Sequence, residues 1–400
     1  MTWPSWHDHA ARDLNVQLNI LADENIPALE HYLGPFGQVR RISGRALTAD
    51  QLAGVDALLV RSVTRVNESL LRGSPVRFVG TATSGIDHID REYLAAQSIG
   101  FAYAPGSNAN SVVEYVLAAV AAIDDKLEQL MAGGSVGIVG YGVIGKAVAA
   151  RMQVLGIDYC AYDPWLEAAA ISQPASLARV LDCDVVTLHA ELTRKQPWPS
   201  FHLLDEARIC AMQPGALLIN ASRGPVVDNV ALLRLLQQGR APVTVLDVWE
   251  GEPTINHELL DAVALGTPHI AGYSSDGKLL ATAMMAAAVA QHFGVAFKDR
   301  PSPAGSAGII DAAGVPVGPL LVRHLLQSRY DISRDDKRLR SATGSRPAPA
   351  AAQGFDDLRR NYPVRRELVG SVVSGVVPDQ EGLQMLHALG CTVPSEESPR

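Results

Sequence analysis

Three side chains of complementary chemistry stand where short apolar runs give out: Arg223, Glu252 and His269. Arg223 ends the stretch Leu218-Ile219-Asn220-Ala221-Ser222-Arg223-Gly224. Glu252 follows Val245-Leu246-Asp247-Val248-Trp249-Glu250-Gly251, and His269 sits in Thr267-Pro268-His269-Ile270-Ala271-Gly272-Tyr273. An imidazole titrates near neutrality and suits removal of a hydroxyl proton. A carboxylate can orient such a ring and favour its protonated form, as Glu252 would for His269. The forked donors of a guanidinium match a carboxylate and a neighbouring carbonyl oxygen, a task for Arg223. Taken singly, each residue also has a plain reading: an arginine in a surface turn, a solvated acid, a structural histidine. Together they have the logic of secondary-alcohol oxidation, which further requires an acceptor for the hydride.

A second constellation supplies that acceptor. Gly137-Ile138-Val139-Gly140-Tyr141-Gly142-Val143-Ile144-Gly145 follows an apolar run and opens a helical segment. Glycines at 140, 142 and 145 let backbone approach a pyrophosphate at a helix N-terminus. Gly140, Tyr141, Gly142, Val143, Ile144 and Gly145 are therefore candidate dinucleotide contacts. About 20 residues on, Asp163 ends a second apolar run. Its carboxylate would accept hydrogen bonds from an adenosine ribose and repel a 2′-phosphate, which favours NAD over NADP. Bound nicotinamide would take the hydride.

These residues need a scaffold of parallel strands. Apolar runs near 16–21, 57–60, 77–80 and 99–104 alternate with helical segments, and polar residues gather after them. Further runs at 136–140, 159–162, 185–188, 216–219 and 243–246 continue the βαβ alternation. Ser107 to Leu130 reads as one long helix, with Ser111 and Glu114 at capping-box spacing. Ala281 to Ala290 reads as an alanine-rich helix that returns the chain to the first domain. The expected divisions are a flexible extension at 1–15, a substrate or lid domain at 16–107 with 276–298, a nucleotide domain at 108–275, and a C-terminal domain at 299–400. Within the last, 341–354 is low in complexity and reads as an exposed, flexible loop.

Composition narrows the setting. The chain has 400 residues, 48% of them apolar, enough to bury substantial cores. A formal charge of −8 gives no general attraction to nucleic acid. No stretch has membrane length or the apolar core of a signal peptide, so the cytoplasm is the expected compartment and no membrane partner is expected. Cys160, Cys183, Cys210 and Cys391 fit neither a metal motif nor a disulfide framework. Cys160 and Cys183 read as buried thiols, and no metal site is expected.

In this order, GIVGYGVIG, LINASRGPVVD, DVWEGEP and TPHIAGY resemble the D-2-hydroxyacid dehydrogenase family over much of residues 80–275. The resemblance implies an α/β fold: a Rossmann-type nucleotide-binding domain beside a flavodoxin-like lid domain that closes over it. It implies Arg223 as substrate clamp, Glu252 as the histidine's partner and His269 as general acid/base. Asp163, His189, Asp247 and Gly272 would join the glycine loop in holding NAD. Further segments, LADENIP, RSVTRVN, TATSGIDHID and APGSNANSVVEY, resemble family members that oxidise 4-phospho-D-erythronate in vitamin B6 synthesis. So do YDISRDDKRLR and FDDLRRNYPVRRE, which implies a small C-terminal α+β dimerisation domain and a homodimer. That likeness makes Arg61, Ser62, Thr83 and Tyr273 candidate substrate residues; without it, a solvated Arg61 and a structural Tyr273 fit as well. Arg65 and Arg77 read as plainly solvated. One departure follows His189, where Glu191 stands in place of an expected proline and 194–201 is unfamiliar. The alternatives are a related enzyme for 3-phosphoglycerate or glyoxylate and hydroxypyruvate, or a nucleotide-sensing corepressor or redox sensor on the same fold.

Overall fold

The computed structural model describes residues 17–298, 300–344 and 346–394. The expected extension at 1–15 lies outside them. The chain divides into two compact units, one of residues 1–108 with 275–305, the other of 109–274 with 306–400.

The first unit is built on five parallel strands: β1 (Leu18–Asp23), β2 (Gly37–Ile42), β3 (Ala57–Val60), β4 (Phe78–Thr81) and β5 (Gly100–Tyr103). Their order is β2-β1-β3-β4-β5, the flavodoxin-like arrangement. β3 and β4 are buried at every residue, which is why they read as unbroken apolar runs. The helix Ser275–Phe293 covers one face, placing Met285, Ala286 and Val289 against Leu18, Ile20 and Leu59. Val60 and Thr81 are register partners, so the exits of β3 and β4, with Arg61 and Thr83 just beyond, lie side by side.

The second unit carries β6 (Ser135–Val139), β7 (Asp158–Tyr162), β8 (Val185–Leu188), β9 (Leu217–Asn220), β10 (Val243–Leu246) and β11 (Leu265–Gly266). All are parallel, in the order β11-β10-β9-β8-β6-β7. A further edge survives as one parallel bridge from Ala161 to Pro174. Counting that bridge as a strand gives the doubly wound dinucleotide order 3-2-1-4-5-6 with one strand added. Five of these strands fall within a residue of the apolar runs. β11 does not, because two residues carry no periodicity.

Several expectations are corrected. The 107–130 segment is not one helix: Ala109–Ala122 stops and Lys126–Met131 restarts. Ser111 and Glu114 form no capping box. Both are buried inside the first helix, where Ser111 Oγ donates to Ala271 O and Glu114 Oε1 accepts from Leu368 N. The 341–354 stretch is largely helical, spanned by Ile332–Thr343 and Ala348–Arg360. Its alanines favour helix, and Ala351 and Phe355 are buried. The tail also contains helices Pro319–Arg329 and Gln380–Ala388 and a parallel pair, β12 (Ile309–Asp311) with β13 (Val372–Ser374). It falls in the same compact unit as the nucleotide sheet. Arg77 is not merely solvated: it pairs with Asp56 at 2.7 Å. Cys160 is only half-buried, and its sulfur lies 3.6 Å from that of Cys183.

Candidate active site

The glycine loop has the shape a dinucleotide requires. Gly140 adopts φ +91°, and a Cβ there would sit 2.5 Å from Ala190 N. A Cβ at Gly145 would lie 2.0 Å from Gly140 O, so this glycine sets the close packing of helix on strand. Around Gly142 there is open space, and it caps the helix Val143–Val154 without a side-chain bond. The first-turn amides thus face a place where backbone can meet phosphate oxygens. Val143, the first residue of that helix, is 46% exposed beside the loop. Asp163 Oδ2 accepts from Tyr141 N at 2.9 Å and Oδ1 from Trp165 N at 3.0 Å. Each oxygen keeps a lone pair for a ribose hydroxyl. His189 donates its backbone N–H to Val139 O, and its Nε2 lies 3.0 Å from Thr187 Oγ1. Burial pulls the His189 pKa down to about 3, so this ring is neutral. These residues fit NAD.

Glu252 and His269 meet: Nδ1 of the imidazole is 2.8 Å from Oε2 of the carboxylate. Oε1 accepts from Trp249 N at 2.8 Å. Burial pushes the Glu252 carboxyl up, but the His269 charge and hydrogen bond, the Trp249 amide and Arg359 together hold it below its ordinary value. The carboxylate therefore stays ionised, and Nδ1–H is the donor. Nε2 is the nitrogen left to exchange a proton.

His269 has φ +56°, a left-handed backbone that a histidine adopts at a cost of roughly 1–2 kcal/mol. Asp247 holds it there. The backbone oxygen of Asp247 accepts from His269 N at 2.7 Å. Its carboxylate accepts from Thr267 Oγ1 at 2.6 Å, Ile270 N at 2.7 Å and Ala271 N at 2.9 Å. Asp247, expected beside the nicotinamide, is thus visibly the organiser of the histidine's turn. Gly272 follows that turn, half-buried. Tyr273 stacks edge-on with Tyr362, their centroids 5.7 Å apart.

Arg223 is placed by the exit of β9. Asn220 Nδ2 donates to Arg223 O, and Asn220 Oδ1 accepts from the N–H and hydroxyl of Ser222. Gly224 then passes so close to Trp249 that a Cβ would lie 2.0 Å from its carbonyl carbon. That approach binds the arginine loop to the segment carrying Glu252.

In the first unit, Arg61 is half-buried and Ser62 exposed at the β3 exit. Thr83 Oγ1 donates to Gly85 O at 2.8 Å and lies 2.8 Å from Thr81 Oγ1. Lys278, unmarked in the sequence, joins this group. Burial first, and the neighbouring Arg61 charge second, lower its pKa to about 8.

The unfamiliar 190–201 stretch closes on itself. Ser200 Oγ accepts from Thr193 N at 2.7 Å and donates to Glu191 O, while Arg194 lies over the Phe201 ring. It brings His202 to Glu250 at 2.8 Å and Asp228 at 3.7 Å. The three groups lie close enough to share a cation. Here they pair with one another, and Asp228 Oδ1 also caps the helix Asn229–Gln237.

Comparison with known proteins decides the family. The D-isomer specific 2-hydroxyacid dehydrogenase NAD binding domain matches residues 118–271, and a domain of unknown function matches 320–390. Erythronate-4-phosphate dehydrogenase of Cellvibrio japonicus is 46% identical, covering 88% of this chain and 93% of that protein. The Escherichia fergusonii enzyme of the same name is 42% identical, over 93% and 98%.

The chain belongs to the erythronate-4-phosphate dehydrogenases, within the D-isomer-specific 2-hydroxyacid dehydrogenase family.

Solved relatives agree at the level of fold. Thermus thermophilus TT0316 matches with TM-score 0.57 at 26% identity, covering 69% of this chain and 96% of that one. A D-lactate dehydrogenase of Aquifex aeolicus, complexed with NAD and lactic acid, matches at 0.56 and 24% identity, covering 69% and 96%. Such family members account for about two-thirds of the chain. The cofactor of this oxidoreductase is NAD. Among the described residues, no helix is long and apolar enough to cross a membrane.

Proposed function

We propose that this chain oxidises C2 of 4-phospho-D-erythronate to (R)-3-hydroxy-2-oxo-4-phosphobutanoate in the synthesis of pyridoxal 5′-phosphate. The observation that carries the reading is the match to erythronate-4-phosphate dehydrogenases over nearly their whole length, tail included. NAD, when bound, supplies the hydride acceptor. His269 Nε2 takes the C2 hydroxyl proton, and Glu252 stabilises the imidazolium that results. Arg223 holds the C1 carboxylate and the oxygen that becomes the ketone. Arg61, Ser62 and Thr83 are proposed ligands of the substrate phosphate, with Lys278 as a further cation beside Arg61. Neighbouring cations repel, and a bound dianion would relieve that repulsion. Tyr273 is proposed to meet the substrate's distal end, and Gly272 and Asp247 to border the nicotinamide.

We further propose that the protein is a cytoplasmic homodimer joined through its tail. Ile309, Val317, Leu320, Val364, Val369 and Val377 expose large apolar side chains there, which supports a covered face in the assembly.

The test is NADH formation by purified protein from 4-phospho-D-erythronate and NAD, with a 2-oxo acid added to reoxidise any NADH that stays bound. D-erythronate, 3-phosphoglycerate and glycerate complete the panel. A preference of at least about tenfold in kcat/KM for the phosphorylated four-carbon acid supports the reading. Preference for 3-phosphoglycerate supports the related enzyme, and no turnover of any substrate favours a sensor.

A further inference from the structure

The catalytic turn is bolted to the tail. Gly266 N donates to Asp336 Oδ1 at 2.8 Å, and Arg340 donates to the carbonyls of Leu260 and Val263. Ser274 Oγ donates to Glu367 Oε1 at 2.6 Å, and Arg365 reaches Ser111 O at 2.9 Å. Residues on both sides of His269 are thus fixed by the tail. Such a brace is more than a dimerisation surface needs.

One side chain of that brace reaches the chemistry. Arg359, near the end of the helix Ala348–Arg360, is half-buried. It hydrogen-bonds the Tyr273 side chain, and its guanidinium carbon lies 5.9 Å from the Tyr273 ring centroid. Its charge is felt by Glu252 and Asp247. Its Nε–H is buried with no acceptor among the described residues. A surface arginine that merely stabilised a helix end would keep its charge in water. This one is partly withdrawn from solvent, its Nε fully so, and it stands behind both the acid/base pair and the proposed substrate tyrosine.

We propose that Arg359 is a positioning residue of the active site, supplied by the tail to fix Tyr273 and to set a guanidinium behind the Glu252–His269 pair. The proposal rests on the reading of Glu252 and His269 as the acid/base pair. The charged and titratable groups facing Glu252 are His269 and Arg359; those facing Arg359 are Tyr273, Glu252 and Asp247. Removing the cation leaves burial less opposed, so the carboxyl titrates at higher pH. A protonated Glu252 can no longer stabilise the imidazolium. Arg359→Lys retains the charge but lacks the planar fork.

The experiment pairs a substrate-free readout with kinetics, both on full-length protein. Carbon-13 NMR follows the Glu252 carboxyl against pH, assigned by its loss in Glu252→Gln. In Arg359→Gln the midpoint is expected to rise, the acid limb of kcat/KM to move up with it, and kcat to fall about tenfold or more. NAD affinity should stay within about twofold, and added guanidinium should restore part of the rate. In Arg359→Lys the midpoint should return toward wild type while KM for the phosphorylated substrate stays raised. If Arg359→Gln also loses NAD binding, the lysine variant decides, and a wild-type KM there overturns the proposal. An unmoved Glu252 midpoint with wild-type kinetics in Arg359→Gln overturns it too. Should wild-type protein fail to oxidise 4-phospho-D-erythronate while the midpoint still rises in Arg359→Gln, the substrate reading falls and the positioning role stands.

Discussion

Glu252→Gln is the most informative single substitution because the geometry leaves the amide no good arrangement. The carboxylate accepts at both oxygens, from Trp249 N and from His269 Nδ1, each at 2.8 Å. A glutamine has one acceptor. If its oxygen serves Trp249, its NH2 faces Nδ1 and forces the proton onto Nε2, the nitrogen that must accept one. If its oxygen serves His269, its NH2 meets the Trp249 N–H and that buried donor is orphaned. Either way a charge-assisted hydrogen bond is lost, worth about 1.5–3 kcal/mol. At about 1.4 kcal/mol per factor of ten, that is roughly a 10- to 150-fold loss in kcat/KM. The tautomer switch extends the loss toward about 10⁴, the scale seen when the equivalent acid of a serine-protease triad becomes an amide. The assay is steady-state oxidation at saturating NAD, with NAD affinity measured by tryptophan fluorescence. A variant within about threefold of wild type would refute the assigned partnership.

Other expectations follow from the same contacts. Gly145→Ala places a methyl 2.0 Å from Gly140 O, so NAD binding should be lost or the thermal midpoint lowered; normal binding and stability would show that the loop yields. KM for the phosphorylated substrate should rise as pH passes about 8, where Lys278 loses its proton, and Lys278→Met should flatten that rise in a pH series of initial rates. Glu114 is raised to about 7 by burial foremost and by Glu367, against the opposing pull of Arg365 and Arg151 and the Leu368 amide. A folded-state pKa above the unfolded one means stability falls as pH rises from about 4.5 to about 7. Glu114→Gln keeps the bond from Leu368 N and should be more stable near pH 8 by on the order of 3 kcal/mol, read from urea melts at two pH values.

What could be read in advance was whatever is written locally. The buried parallel strands announce themselves as apolar runs because both faces are covered. The glycine loop and the exits bearing Arg223, Glu252 and His269 are legible because their chemistry depends on residue type at short spacing. Long-range features were not legible. Ser111 and Glu114 look like a helix cap, yet their true partners, Ala271 and Leu368, lie 160 and 254 residues away. The 341–354 segment reads as a loop through its Gly, Pro and Ser, while burial of Ala351 and Phe355 makes most of it helix. Lys278 and Arg359 carry no local mark, since an isolated cation on a helix is usually solvated. Asp247 reads as a carboxylate near the chemistry, but its part in holding the left-handed His269 is visible only in three dimensions.

Proton transfer in this site rests on one nitrogen, Nε2 of His269. Its direct test compares wild-type and His269→Gln protein, measuring NAD affinity and the single-turnover rate with 4-phospho-D-erythronate in the same preparation. NAD affinity is expected to stay within about twofold and the rate to fall by roughly 10² to 10⁴. A variant that binds NAD and turns over at the wild-type rate would contradict it.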